Sequence, residues 1–408
     1  MSSQAGTSGA LSDRNFLIYT IGNTISWLGT WAQRVGIGWL SWELTHRTAW
    51  VGAISLAQLL PIVLFGPLFG TLLDRHDHRR YALAVNMVLA LLAAVLYVLT
   101  LSRAMRIELL LLMAVLGGIA NAAYQAVRLA MVSDVVKPAH LASAIAINSV
   151  LFNLSRIIGP AIAGIIILRQ GIAGVFAFNA LSFLGVLAAL FIVRLRPPKA
   201  AGPVQGILAE SRAGVHYVLQ HPGLRQLLLL SAITAILGRG VYEMLPAFAD
   251  LIFGHGSVGL ADLTSAAGIG AIAGALLLAR LRIGAQIRRA TRFATLLLGA
   301  AVAVFGLCVS FRVGLVLAGV IGFAGVLGSV GLQVLLQSAI DERYRGRVLG
   351  LWSATNVAGP GVGGALAGSL AQLFGLRAVA VASGLLCSLL VAWITLRGGL
   401  YGRAKHER

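Results

Sequence analysis

The 408 residues are 58% hydrophobic and 11% charged, with a mean hydropathy of +0.89, a composition that excludes an ordinary water-soluble globular protein and implies a polytopic membrane protein. Lys and Arg number 32 against 13 Asp and Glu, giving a formal net charge of +19. A nucleic-acid binder could carry that charge, but its distribution argues for no nucleic acid: six basic residues (Arg47, Arg103, Arg106, Arg169, Arg312 and Arg377) fall on one side, four lie inside apolar runs, and the other 22 share alternate loops and tails. Short cytoplasmic loops are the ones rich in Lys and Arg, so both termini are expected in the cytoplasm.

A run of about 20 apolar residues crosses a bilayer as a helix, and the chain has twelve: 15–44, 49–73, 81–102, 107–133, 140–168, 172–194, 225–250, 260–281, 291–311, 313–338, 346–374 and 376–396. Barrel strands are excluded because the runs are too long and too uniformly apolar. The N-terminal MSSQAGTSGALSDR lacks the charged-then-apolar order of a cleavable signal, so the first helix is expected to insert the chain. The fold class is therefore all-α, with six-helix halves at 1–194 and 225–408 joined by a basic linker, 195–224. Within that linker Ile207 to Leu219 fits either a short amphipathic surface helix or a plain connection.

Helix 1 carries Asn23, Ser26, Gly29, Trp31, Gln33, Arg34 and Trp39, and ends in Glu43-Leu44-Thr45. The loop after helix 2 reads Gly70-x-Leu72-x-Asp74-Arg75-x-x-x-Arg79-Arg80, and its arginines anchor it on the cytoplasmic side. Two histidines there, His76 and His78, are expected to be solvated. Helix 4 holds Asn121, Gln125 and Arg128. Helix 5 reads N-x-x-x-x-N-x-S-R-I-I-G-P-x-x-x-G, with Asn148, Asn153, Ser155, Arg156, Gly159, Pro160 and Gly164; a proline inside a helix removes a donor and bends it.

These patterns resemble the major facilitator superfamily. The hinge loop is similar to its signature between helices 2 and 3, with Asp77 where that family usually has a second Gly. Residues 26–45, the Gly-Pro stretch of helix 5 and Arg345-Gly346-Arg347-Val348 before helix 11 resemble the twelve-helix bacterial drug and proton antiporter branch that includes enterobactin exporters and macrolide efflux proteins. The resemblance implies two pseudo-symmetric halves, a cytoplasmic gate in which Asp74 pairs with Arg128 beside Gly70, Arg75, Arg79, Arg80, Arg345 and Arg347, and a helix kink at Gly159, Pro160 and Gly164 that helps fix the direction of transport.

The halves repeat each other. A shift of 204 residues superposes Gly66 and Gly70 on Gly270 and Gly274, and Gly159, Gly164 and Gly171 on Gly363, Gly368 and Gly375, as in transporters built from parallel repeats. In helix 10, Gly319, Gly322, Gly325, Gly328 and Gly331 recur every third residue, which reads as close helix packing.

Charges in the bilayer cost about 3 kcal/mol or more and must face a cavity or a partner. Arg34, Arg156 and Arg239 thus nominate a water-accessible cationic cavity suited to an anionic substrate, or three structural ion pairs. Arg128, nearer a helix end, can snorkel. Glu243 follows Arg239 by one turn and can pair with it. Desolvation favours its protonated form and a cation its ionised form, so it is the candidate proton carrier or else a permanent ion pair. Glu43 and Asp134 are weaker candidates. Asn23, Gln33, Asn121, Gln125 and Asn153 are further cavity-lining candidates.

Cys308 and Cys387 sit in separate runs and suit neither a metal site nor a disulfide. The chain carries no phosphate loop, no H-E-x-x-H and no G-x-S-x-G, so no enzyme, metal or cofactor is expected. The expected function is proton-coupled export of a small amphipathic or anionic compound, a siderophore or drug, by a monomer in the bacterial inner membrane. A lipid or lysophospholipid flippase of the same fold and a non-transporting membrane sensor are the alternatives.

Overall fold

The computed structural model describes residues 8–73, 76–195, 207–282 and 284–397, and every regular element among them is helical. Ten helices among the described residues are long and apolar enough to cross a membrane. Two further spans complete the set. Arg14–Thr45 is a continuous 32-residue helix whose polar residues lower its hydropathy, and Leu141–Ile192 is two spans divided at Gly171, whose φ of 71° and ψ of −179° fall in a region open essentially to glycine alone.

The twelve membrane helices are α1 (Arg14–Thr45), α2 (Thr48–Leu73), α3 (His78–Leu101), α4 (Ile107–Val135), α5 (141–170), α6 (172–192), α7 (Pro222–Ile252), α8 (Gly256–Arg280), α9 (Ala285–Leu307), α10 (Phe311–Ala339), α11 (Arg345–Phe374) and α12 (Leu376–Arg397). The expected starts hold to within a few residues except at α9, which begins six residues before 291. Its first turns carry Arg288 and Arg289, which hydropathy alone assigns to a loop.

Chain contacts define two units, Met1–Leu40 with Pro61–Val204, and Ser41–Leu60 with Gln205–Arg408. In the first, Phe16, Tyr19 and Trp27 of α1, Met131 of α4 and Phe183 of α6 are buried in one apolar core. The α5–α6 connection turns at Gly171, and helical dihedrals continue through Pro160.

In the second unit, backbone proximity replaces side-chain bulk. A Cβ at Gly322 of α10 would lie 1.9 Å from the Ala267 carbonyl oxygen of α8, so only glycine permits that approach. The glycine stripe divides by partner: Gly322 faces α8, Gly328 and Gly331 face Thr295 and Thr291 of α9, and Gly325 has open space. The end of α1 and start of α2, which the sequence division assigns to the first half, pack within this unit. Thr48 Oγ1 donates to Gly368 O at 2.7 Å and Trp42 Nε1 to an Asp250 carboxylate oxygen at 2.9 Å.

One local departure goes beyond the sequence pattern, and of the two alternatives for 207–219 the helix is the one observed. α7 is not uniform: Thr234–Arg239 and Phe248–Ile252 are π-helical turns, with short α segments Gly240–Tyr242 and Leu245–Ala247 between them. The segment Ile207–Gln220 is an α-helix, and its end docks on the approach to α11, where Tyr217 stacks on Tyr344 at 4.1 Å.

Candidate functional site

In the first unit, α1, α4 and α5 bring together a cluster of aromatic and polar side chains. Trp27 Nε1 donates to the Tyr124 hydroxyl, which donates to Asn23 Oδ1 at 3.0 Å. One turn beyond Tyr124, the Arg128 guanidinium lies 4.4 Å from the Phe152 ring centroid and 5.8 Å from that of Trp27. Its Nε donates to Gln125 Oε1 at 3.1 Å. Phe152 meets Trp27 edge to face at 5.3 Å, so the two rings form a shelf under the cation. Such contacts stabilise a desolvated guanidinium by about 2 kcal/mol. Among the described residues, no carboxylate lies within ion-pair distance of Arg128.

The other candidates of this unit differ in what they offer. Gln33 accepts from Asn179 Nδ2 at 2.8 Å, and Arg34 lies 5.7 Å from the Trp31 ring. Asn121 and Asn153 donate to Gly117 O and Ser149 O of their own helices, both at 2.8 Å, which commits those donors to the helix. Arg156 is half-buried on α5, and Gly164 is buried. At Gly159 a Cβ would lie 2.5 Å from Trp31 Cβ, so this glycine sets the approach of α5 to α1.

The hinge loop is tied at several points. Asp74 and Arg75 lie outside the described residues, and Gly70 has open space around it. Arg79 donates to the Val193 carbonyl, whereas Arg80 is exposed. Asp77, the departure from the family signature, caps α3 by accepting from the Arg80 backbone N–H at 2.8 Å, an arrangement worth about 1 kcal/mol. The expectation that both loop histidines are solvated is corrected at His78: its Nδ1 lies 2.6 Å from an Asp134 carboxylate oxygen, and Asp134 is only 8% exposed. The two residues are 56 positions apart, beyond the reach of local pattern. His76 is exposed and bonded to Leu72 O.

In the second unit, Arg239 Nη2 donates to Asn356 Oδ1 at 2.7 Å, and Asn356 Nδ2 donates to Ser231 Oγ at 2.8 Å. Arg239 ends the first π turn of α7, a feature frequent at functional sites. Glu243 follows, with its side chain against Gly364 of α11. A Cβ at Gly363 would lie 2.0 Å from Ile236 O, and Gly359 faces Ala235, so α11 closes on the π turn. Arg345 is exposed, and Arg347 sits 5.7 Å from the Tyr344 ring, packed against Gly214 of the Ile207–Gln220 helix.

Sequence reasoning missed Tyr124, Phe152 and Asn356. Aromatic residues in an apolar helix look like core, but Asn356 had a signal. Asn356 stands three residues before the Gly359-Pro360 pair as Arg156 stands before Gly159-Pro160, a local likeness offset by 200 residues rather than the 204 of the glycine repeat.

The family model described as "Transmembrane secretion effector" matches residues 5–401. Among curated proteins, the chain is 28% identical over 233 residues to the staphyloferrin A transporter of Staphylococcus aureus, covering 55% of this chain and 57% of that one. It is 30% identical over 257 residues to the enterobactin exporter EntS of Shigella flexneri, covering 63% and 60%. The chain thus spans less than two thirds of the length of these curated relatives. Among solved structures, an inward-facing, occupied bacterial homolog of the human lysosomal transporter Spinster superposes with a TM-score of 0.73 at 16% identity, over 93% of this chain and 95% of that one. A mutant of the nucleoside transporter NupG gives 0.70 at 12% identity, over 94% and 100%. At these identities the structural matches establish the fold, that of major facilitator transporters.

Proposed function

We propose, from the premise that this chain belongs to the transmembrane secretion effector family, that it is a secondary transporter exporting a small anionic or amphipathic compound of siderophore type, driven by protons through alternating access. The observation that carries this reading is Arg128, a guanidinium within a membrane span supported by two aromatic faces and an amide oxygen. A neutral cradle leaves the positive charge available to an anion. At 4 Å and an effective dielectric constant near 20, an opposite charge gains about 4 kcal/mol, against about 1 kcal/mol in water. Siderophores present catecholate or carboxylate oxygens, and the relatives named above include a staphyloferrin transporter and an enterobactin exporter.

In this proposal Asp74 is the intramolecular rival for Arg128. With the substrate absent, the carboxylate takes the cation and holds the hinge loop closed with Arg75, Arg79 and Arg80. An incoming anion displaces it and frees the gate. Arg345 and Arg347 hold the α11 end of the same gate. Arg34, Arg156 and Arg239 add positive potential for the substrate, and Glu243 carries the proton. The positive-inside bias supports cytoplasmic termini in a bacterial inner membrane, and one chain holds all the parts, so a monomer suffices.

The test is transport by reconstituted protein across a panel of catecholate and carboxylate siderophores, cationic dyes and lysolipids. Wild type moving the anionic members, with Arg128→Gln lowering that movement at least tenfold while remaining folded, supports the reading. Movement of dyes or lysolipids alone, unaffected by Arg128→Gln, overturns it.

A further inference from the structure

A second cationic site lies wholly within the second unit. A pocket of about 270 Å³ opens beside the first turns of α9, lined by Arg288, Arg289, Thr291 and Arg292 and walled by Leu230 of α7, Leu332 of α10 and Thr395 of α12. The spacing of Arg288, Thr291 and Arg292 is i, i+3, i+4, which sets them on one face of the helix. All three arginines have solvent-accessible side chains.

The buried hydroxyl marks this as more than a solvated charge cluster. Thr295 donates to Thr291 O and Thr395 donates to Val391 O, so both satisfy their hydroxyls within their own helices. Thr291 differs: it is 2% exposed and its Oγ1 has no hydrogen-bond partner. It packs against Gly331 of α10, where a Cβ would lie 2.1 Å from that oxygen. A buried hydroxyl without an acceptor is costly, and an anionic oxygen entering among the arginines would satisfy it.

Size and position identify the anion. The pocket falls at the lower limit of small-molecule sites, which run from about 300 to 1,000 Å³, so it suits a headgroup better than a whole siderophore. It lies at the starts of α7 and α9 and the ends of α10 and α12, the face that carries most of the chain's Arg and Lys. Basic pockets between membrane helices on that side suit phosphate headgroups, and guanidinium forks match phosphate oxygens. We infer that this pocket binds the phosphate group of an anionic phospholipid, with the arginines on the phosphate oxygens, Thr291 donating to one of them, and the acyl chains left in the bilayer.

The experiment uses the purified full-length chain in neutral detergent and reads the thermal unfolding midpoint. Phosphatidylglycerol, phosphatidylcholine and inorganic phosphate are added separately. Phosphatidylglycerol is expected to raise the wild-type midpoint by roughly 5 °C, with phosphatidylcholine giving no rise. The triple change Arg288→Gln, Arg289→Gln and Arg292→Gln is expected to abolish the rise, while Arg225→Gln, Arg280→Gln and Arg343→Gln together leave it intact. Thr291→Val, which keeps every charge, should at least halve it, and serves if the triple variant does not fold. A rise of equal size in wild type, the triple variant and Thr291→Val would overturn the site. A rise given equally by inorganic phosphate would overturn the lipid and assign a soluble phosphate in its place.

Discussion

The α1–α5 pair of the first unit and the α7–α11 pair of the second are built on the same backbone device and filled with different chemistry. Gly159 lets α5 approach Trp31 of α1, and Gly359 and Gly363 let α11 approach Ala235 and Ile236 of α7. Each pair is followed by a glycine turn of the same kind, with φ of 71° at Gly171 and 86° at Gly375. Between these shared points the first pair, with α4, holds an arginine on an aromatic shelf, and the second holds an arginine on an amide relay at a π turn. Glycine positions, which answer to backbone geometry, persist through the repeat. The polar side chains do not.

The largest expected effect sharpens that contrast. At Gly363 the nearest atom to a new side chain is a backbone oxygen at 2.0 Å, and at Gly159 it is Trp31 Cβ at 2.5 Å with Leu28 O at 3.0 Å; all are fixed to the backbone, so the closer approach at Gly363 is the harder to relieve. Gly363→Val should therefore cost more than about 3 kcal/mol and leave little folded protein in size-exclusion profiles, with Gly159→Val nearer to about 1–3 kcal/mol. Next come the turns. Gly171→Ala and Gly375→Ala should each cost about 1–3 kcal/mol, seen as similar falls in unfolding midpoint, and a fall at one position alone would break the equivalence of the repeats.

Smaller effects separate the two polar fillings. Asn356→Leu removes an acceptor from Arg239 and a donor to Ser231, and should destabilise by about 2 kcal/mol. Phe152→Leu keeps an apolar, if smaller, side chain and removes the cation's platform, for about 1 kcal/mol, and should weaken the apparent affinity for an anionic substrate several-fold in uptake assays. The smallest is Asp77→Ala, at about 1 kcal/mol for a lost helix cap. The corresponding position before α9 is Gly284, which makes no side-chain cap bond, so no equivalent loss is expected there.

Much of the fold was legible because lipid leaves the chain little choice: spans must be long, apolar and helical, and the 204-residue spacing of glycines already linked Gly171 to Gly375. The glycine stripe of α10 was legible as packing, but not its division between two neighbours. The π turns of α7 were not legible, since its polar residues, Thr234, Arg239, Glu243 and Asp250 among them, are too sparse to distinguish one helical pitch from another. The candidate site was legible in its charges and not in their partners. Arg128 and Arg239 stand out in any apolar run, whereas Phe152, Tyr124 and Asn356 acquire meaning only when folding brings α1, α4 and α5, or α7 and α11, together. His78 and Asp134 met for the same reason, across 56 residues.

The central claim, proton-driven export through Glu243, is tested most directly in proteoliposomes carrying an imposed pH gradient, comparing wild type with Glu243→Gln on the same anionic substrate. The account predicts uphill substrate movement that follows the gradient in wild type and is lost in Glu243→Gln, with downhill exchange retained. Movement indifferent to both the gradient and the substitution would contradict it, leaving a facilitator in which Glu243 is structural.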